Sequence, residues 1–297
     1  MLRPRRRWPL LVLFFIAWPF TEARAQQISY HRVERDAVVE RLKGSPSDNA
    51  DRQKKLHQLF EAAGCKGEAL TEVEVEGSAL PNVICKLPGE SNSVIIVGAH
   101  YDKVTLGQGV VDNWSGAALL ASLFESLKDE PRRHTFLFIG FTDEEKGLVG
   151  SAQFLEQTTS EQRSRIRAMV NLDSLGLSPT KIWLSHADKG LAAALNNVAA
   201  SMKLPLAGVN VEQVASADSE SFAKRRIPSL TIHSVTQETY PILHSSQDTL
   251  AAIHMDDYYD TYRLAAAYLS YLDQKLAAGN EAAPVKRIEA TSGETQK

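Results

Sequence analysis

Cysteine is scarce in this chain, with only Cys65 and Cys85 among 297 residues. A lone pair cannot build a cysteine-rich metal site, and neither residue lies near the acidic stretches discussed below. Export would permit a crosslink closing a loop of about 20 residues; two free buried thiols are the alternative. No internal repeat is present, which excludes a stacked-repeat architecture. After residue 25 no apolar run approaches the roughly 20 residues needed to span a bilayer. Positive charge is also short. The chain carries −3 overall, and its first 25 residues hold five arginines against Glu22, so the remainder carries −7. That balance argues against nucleic acid as a partner.

Hydrophobic residues make up 43% and charged residues 23%, a composition able to bury a core without staples. Residues 1–25 read as a signal peptide. Arg3, Arg5, Arg6 and Arg7 precede an apolar segment from Trp8 to Phe20, and Ala23-Arg24-Ala25 fits a small-x-small cleavage site. The expectation is a secreted or periplasmic protein with no stable membrane anchor. Residues 26–276 read as a single domain, and 277–297, poor in large apolar residues, as a disordered tail.

Within that domain, helical spacing appears over Val33–Leu42, Arg52–Ala63, Ser115–Leu127, Glu161–Arg167, Gly190–Met202, Ser219–Lys224 and Met255–Leu276. Asp48 or Ser47 can cap the second helix and Gly64 can end it. Strands are expected at Thr71–Val75, Asn82–Leu87, Ser93–Gly98, Phe136–Phe141, Ala168–Leu172, Lys181–Ser185 and Ser229–Ile232, the first two as a hairpin. Apolar strands alternating with helices imply an α/β fold with a mostly parallel sheet covered on both faces.

Several strands end in metal-binding or acid–base side chains. His100 and Asp102 follow the Ser93–Gly98 strand, Glu144 and Glu145 follow Phe136–Phe141, and Asp173 follows Ala168–Leu172. Asp112 stands at the start of a helix, where it can also serve as an N-cap. His244 follows the last strand, and His233 is its rival. Asp248 is expected to cap a helix beginning near Thr249. The carboxyl ends of parallel strands share one sheet edge, so these groups can converge in one crevice. Imidazoles with carboxylates suit zinc, and accommodate manganese or cobalt. Two adjacent ions need one bridging carboxylate, for which the short Asp112 is suited. Packed carboxylates would otherwise repel one another.

The segments His100-Tyr101-Asp102, Val111–Gly116, Thr142–Ser151, Asn171-Leu172-Asp173 and His244–Thr249 resemble, in order, the motifs of the M28 family of co-catalytic zinc peptidases. The resemblance implies a single α/β domain with a mixed, mainly parallel central sheet flanked by helices. It also implies two zinc ions per chain, one held by His100, Asp112 and Asp173, the other by Asp112, Glu145 and His244. Glu144 takes the place of the general base and Asp102 that of the carboxylate orienting His100. The activity implied is an aminopeptidase acting on peptide or aminoacyl substrates. Glutaminyl-peptide cyclotransferases share the fold and most of the ligands, and are the alternative. The pattern departs from the family at Ser245-Ser246, where Thr-Pro is frequent, at Ser216-Ala217-Asp218-Ser219, where Ser-Asp-His is frequent, and at the bulky Trp114.

Overall fold

The computed structural model describes residues 28–211 and 216–276. The expected signal peptide and tail lie outside them. Among the described residues no helix is long and apolar enough to cross a membrane.

Eight strands form one mixed sheet: β1 (Leu70–Val73), β2 (Asn82–Leu87), β3 (Val94–His100), β4 (Thr135–Phe141), β5 (Ile166–Leu172), β6 (Lys181–Ile182), β7 (Ala207–Gly208) and β8 (Ser229–His233). Their order is β1-β2-β4-β3-β5-β8-β6-β7. The four central strands, β4-β3-β5-β8, run parallel. The β1–β2 hairpin joins one side antiparallel to β4, and β6 joins the other antiparallel to β8. β3 and β5 are apolar along nearly their whole length because helices cover both sheet faces.

The larger core lies between the sheet and α1 (Arg35–Lys43), α2 (Asn49–Ala63), α3 (Ser115–Leu127), α6 (Lys189–Met202) and α8 (Met255–Lys275). The smaller one lies on the opposite face, with Phe154 of α4 (Val149–Gln157) and Phe222 of α7 (Ser219–Lys224) packed against Phe141. The Asp48 side chain accepts from Ala50 N and Asp51 N at the start of α2, and Gly64 ends that helix in the left-handed region at φ 107°. Cys65, just past α2, is disulfide-bonded to Cys85 on β2, with Cα atoms 6.2 Å apart. The crosslink ties the helical layer to the sheet.

Several element ends shift by up to three residues, β1 among them, and four differences from the sequence expectation stand out. The helix expected over Glu161–Arg167 is α5 (Ser160–Ser164), closed by a capping box between Thr159 and Gln162, and β5 takes Ile166 and Arg167. The strand expected over Lys181–Ser185 ends at Ile182, and Leu184–His186 is a single turn. The helix expected from Thr249 is one turn, Leu250–Ala252. β7 has two exposed residues and no apolar alternation to announce it.

Candidate active site

The parallel centre of the sheet delivers three strand ends to one crevice. His100 closes β3, the turn after β4 carries Glu144 and Glu145, and Asp173 follows β5. That turn is tightly wound: Gly147 N and Leu148 N donate to Glu144 O, and Val149 N donates to Asp143 O. Between β3 and α3, Val110–Trp114 forms a bend in which Asp112 and Asn113 leave helical geometry, and the Asp112–Asn113 peptide is cis. Asp112 does not cap α3. Asn113 does this work: its Oδ1 accepts from Gly116 N at 3.0 Å and Ser174 N at 3.2 Å, and its Nδ2 donates to Leu172 O at 2.9 Å. Gly116 is required there, because a Cβ would sit 2.5 Å from Leu172 O. Asn113 is also fully buried, so the Asn-Trp-Ser sequon it heads has no accessible acceptor.

The result is two clusters sharing one residue. His100, Asp112 and Asp173 bring ligand atoms within 4.8 Å of one another, and so do Asp112, Glu145 and His244. Asp112 Oδ1 is 3.2 Å from His100 Nε2, while its Oδ2 is 3.1 Å from His244 Nε2. His244 Nε2 also lies 2.9 Å from Glu145 Oε2. His100 Nδ1 faces the Asp102 carbonyl at 3.1 Å and its carboxylate at 3.4 Å, which leaves Nε2 aimed into the cluster. The Asp102 carboxylate further accepts from Glu144 N at 3.1 Å and Glu145 N at 3.3 Å, so it ties the β3 and β4 turns together.

His233 stays out of the cluster. Its Nε2 donates to Val209 O at 3.2 Å, its Nδ1 accepts from Val235 N at 3.2 Å, and burial pulls it down to about 4, so it is neutral. Asp248 does not play the part its sequence position suggests. It caps no helix of its own; its carboxylate accepts from Val111 N at 2.7 Å and Asp112 N at 3.2 Å and holds the Asp112 bend. Two further participants were not among the expected site residues: Asp218 was marked only by lying in the stretch where the family pattern departs, and Arg52 by nothing local. Asp218 is fully buried with both carboxylate oxygens unpaired, and Arg52 reaches the site from α2.

The electrostatics demand positive charge. Burial pushes Glu144 up to about 10 despite His100, and the Asp218, Asp173 and Asp112 carboxylates add to it. Burial likewise raises Asp173 and Asp218 to about 7. Hydrogen bonds to Asp112 and Glu145 raise His244 to about 11. Burial works to lower His100, but Glu144, Asp102 and Asp112 override it and hold it well above its usual value. Asp112 is the counterpart: burial pushes it up, and hydrogen bonds from the two histidines hold it far below the usual carboxylate range. Protons on the histidines thus occupy the role that cations would fill. The buried Glu145 Oε1, with no hydrogen-bond partner, points the same way. Two imidazoles and three carboxylates in two three-sided clusters fit a pair of divalent cations, zinc among them.

Above this floor opens a cleft of about 280 Å³. Its walls include Trp183, Val211, Ala217, Val235, Tyr240 and Leu243.

Fold and site together describe an α/β protein with two adjoining groups of candidate metal ligands at the carboxyl ends of parallel strands. The chain belongs to peptidase family M28, whose sequence profile matches residues 82–269. Aminopeptidase YwaD of Bacillus subtilis is 26% identical over 167 residues, covering 54% of this chain and 37% of that protein. The match therefore spans little more than a third of this relative. The fold is shared with the LapA aminopeptidase of Legionella pneumophila, at TM-score 0.68 and 19% identity over 86% of this chain and 79% of that one. It is shared equally with an Acidobacteriales bacterium glutaminyl cyclase, at TM-score 0.67 and 18% identity over 85% of this chain and 99% of that one.

Proposed function

We propose that the protein is a zinc-dependent aminopeptidase that removes N-terminal residues from peptides. The observation that carries this reading is the two-sided use of Asp112, one carboxylate oxygen facing His100 and the other His244. In this reading His100, Asp112 and Asp173 hold one cation, and Asp112, Glu145 and His244 hold the second. Two such cations would supply Lewis acidity, lowering the proton affinity of a water and polarising the scissile carbonyl. Glu144 accepts a proton from the attacking water and passes it to the departing amine nitrogen. Its neighbour Glu145 turns the other way, toward His244, so adjacent glutamates hold separate tasks. Asp102 fixes the ring of His100. A free substrate ammonium finds carboxylates on the floor, and the apolar walls favour an apolar first side chain. An arginine-rich, apolar leader and the Cys65–Cys85 bond support export to an oxidising compartment.

The competing reading is a glutaminyl-peptide cyclotransferase, favoured by the near-complete coverage of the cyclase structure. A second cation pocket around Asp112 favours hydrolysis. The test is a panel of aminoacyl anilides, N-acetylated peptides and N-terminal glutamine peptides, run with elemental analysis. Hydrolysis of unblocked substrates, with two metals per chain and Glu144→Gln inactive but fully loaded, is expected. Ammonia release from glutamine peptides with one metal per chain, or an active Glu144→Gln, would overturn it.

A further inference from the structure

Arg52 is a buried arginine that reaches the cation site through the backbone. It lies on α2, before the stretch matched by the family profile, and its side chain has no exposed surface. Burying a guanidinium is costly unless its donors are satisfied and its charge is answered. The donors are satisfied almost entirely by carbonyls. Nε donates to Pro46 O at 3.0 Å and Nη1 to Tyr101 O at 3.1 Å, while Nη2 reaches Gln108 O at 2.8 Å, Gly109 O at 2.6 Å and Ser45 Oγ at 3.3 Å. The Trp114 ring covers the guanidinium at 5.7 Å. The opposing charge comes from Asp248, Asp112, Asp102 and Glu145, the acids in and around the two clusters.

The three carbonyls at 101, 108 and 109 belong to two different segments. Tyr101 sits between His100 and Asp102, and Gly109 opens the bend that presents Asp112. One planar fork thus grips the backbones that carry His100 and Asp112, and so sets how far Asp112 stands from His100. Gly109 is matched to this contact: a Cβ there would lie 2.8 Å from Arg52 Nη2, and its φ of +62° favours glycine. Trp114, bulky where the family pattern is small, completes the enclosure, with its Nε1 donating to Arg41 O at 3.1 Å.

We infer that Arg52 is a positioning residue for the paired cation site, its guanidinium fork fixing the His100–Asp112 separation while its charge offsets the buried carboxylates. This rests on the cation-site reading above. A lysine keeps the charge but cannot span the three carbonyls with one planar group.

The test is Co(II) binding to the full chain, followed by isothermal titration and by the visible d–d spectrum. Arg52→Lys is expected to weaken cobalt binding by about 10- to 100-fold and to alter the spectrum. Asp273→Asn is the control, since it destabilises the molecule at the opposite end of β4, roughly 20 Å away. It is expected to bind cobalt like the wild type. Wild-type affinity and spectrum in Arg52→Lys would overturn the proposal, and so would an equal loss in Asp273→Asn. If Arg52→Lys fails to fold, the wild type carries the test. The buried guanidinium Nε–H signal of ¹⁵N-arginine-labelled protein must shift on zinc titration, and an unmoved signal overturns the proposal. A wild-type chain that binds no cobalt or zinc would instead remove the cation-site reading itself.

Discussion

Loading the cation-free protein with two zinc ions near pH 7.5 is predicted to release about three protons. The count follows from the site. His244 is raised to about 11 by its hydrogen bonds to Asp112 and Glu145, and both ring nitrogens of His100 face oxygen acceptors, Nδ1 the Asp102 carbonyl and Nε2 Asp112 Oδ1, so each imidazole has a proton to surrender. A metal-bound imidazole is neutral, so each surrenders a proton. Glu144, pushed up to about 10 by burial and neighbouring acids, carries a third. Nearby cations reverse that repulsion and return it to a carboxylate. Asp173, raised by burial to about 7, is already mostly ionised at this pH and adds a fraction. The overall two-cation binding constant should therefore rise by about three powers of ten per pH unit near neutrality. Calorimetric titrations in buffers of different ionisation enthalpy measure the release directly. Glu144→Gln should lower it by about one proton at unchanged stoichiometry. Release of fewer than about one proton would refute the charge-exchange reasoning, because it would mean that the acids are not balanced by protons in the empty site.

Three further outcomes follow from the same contacts. Glu145→Ala should bind one cation in place of two, read by elemental analysis after dialysis, and retention of both would remove Glu145 from the ligand set. Asp273→Asn should lose roughly 2–3 kcal/mol at neutral pH in urea denaturation, because the carboxylate accepts from Arg133 N, His134 N and His134 Nδ1. Burial works to raise Asp273, but the His134 ring and those backbone donors outweigh it and hold it below its usual value. Its stabilisation is therefore present above the unfolded carboxyl range and lost as pH falls through the lower folded value, so the gap between wild type and variant should close below about pH 4. Replacing both Cys65 and Cys85 with serine should cost about 3 kcal/mol, the loop-closure value for a separation of this size, and an unchanged denaturation midpoint would contradict it.

His100, Glu144, Glu145 and Asp173 were legible in sequence because they stand at strand ends, whereas Asp112 was marked by its helix start and His244 by its segment's resemblance to the family. Continuous apolar runs such as Val94–Gly98 and Phe136–Phe141 locate buried strands, and the polar groups just past them mark one sheet edge. The limits of β2, α3 and α7 coincide with those read from periodicity. His100, Asp112, Glu144, Glu145, Asp173 and His244 do converge, although His244 comes from a loop whose path no local pattern describes.

Side-chain partnerships across the fold were decided only by tertiary structure. Asp248 beside Thr249 looks like a helix cap, and its actual partners are the amides of Val111 and Asp112, more than 130 residues earlier. Asn113, and not Asp112, secures the start of α3, because Leu172 and Ser174 are brought against it. Arg52 reads as one polar position of an amphipathic helix until Tyr101 and Gly109 close around it. Periodicity reports which face of a segment is buried. It says nothing about which charge is buried against which amide, since that depends on distances the chain acquires only when the sheet and its helices have packed.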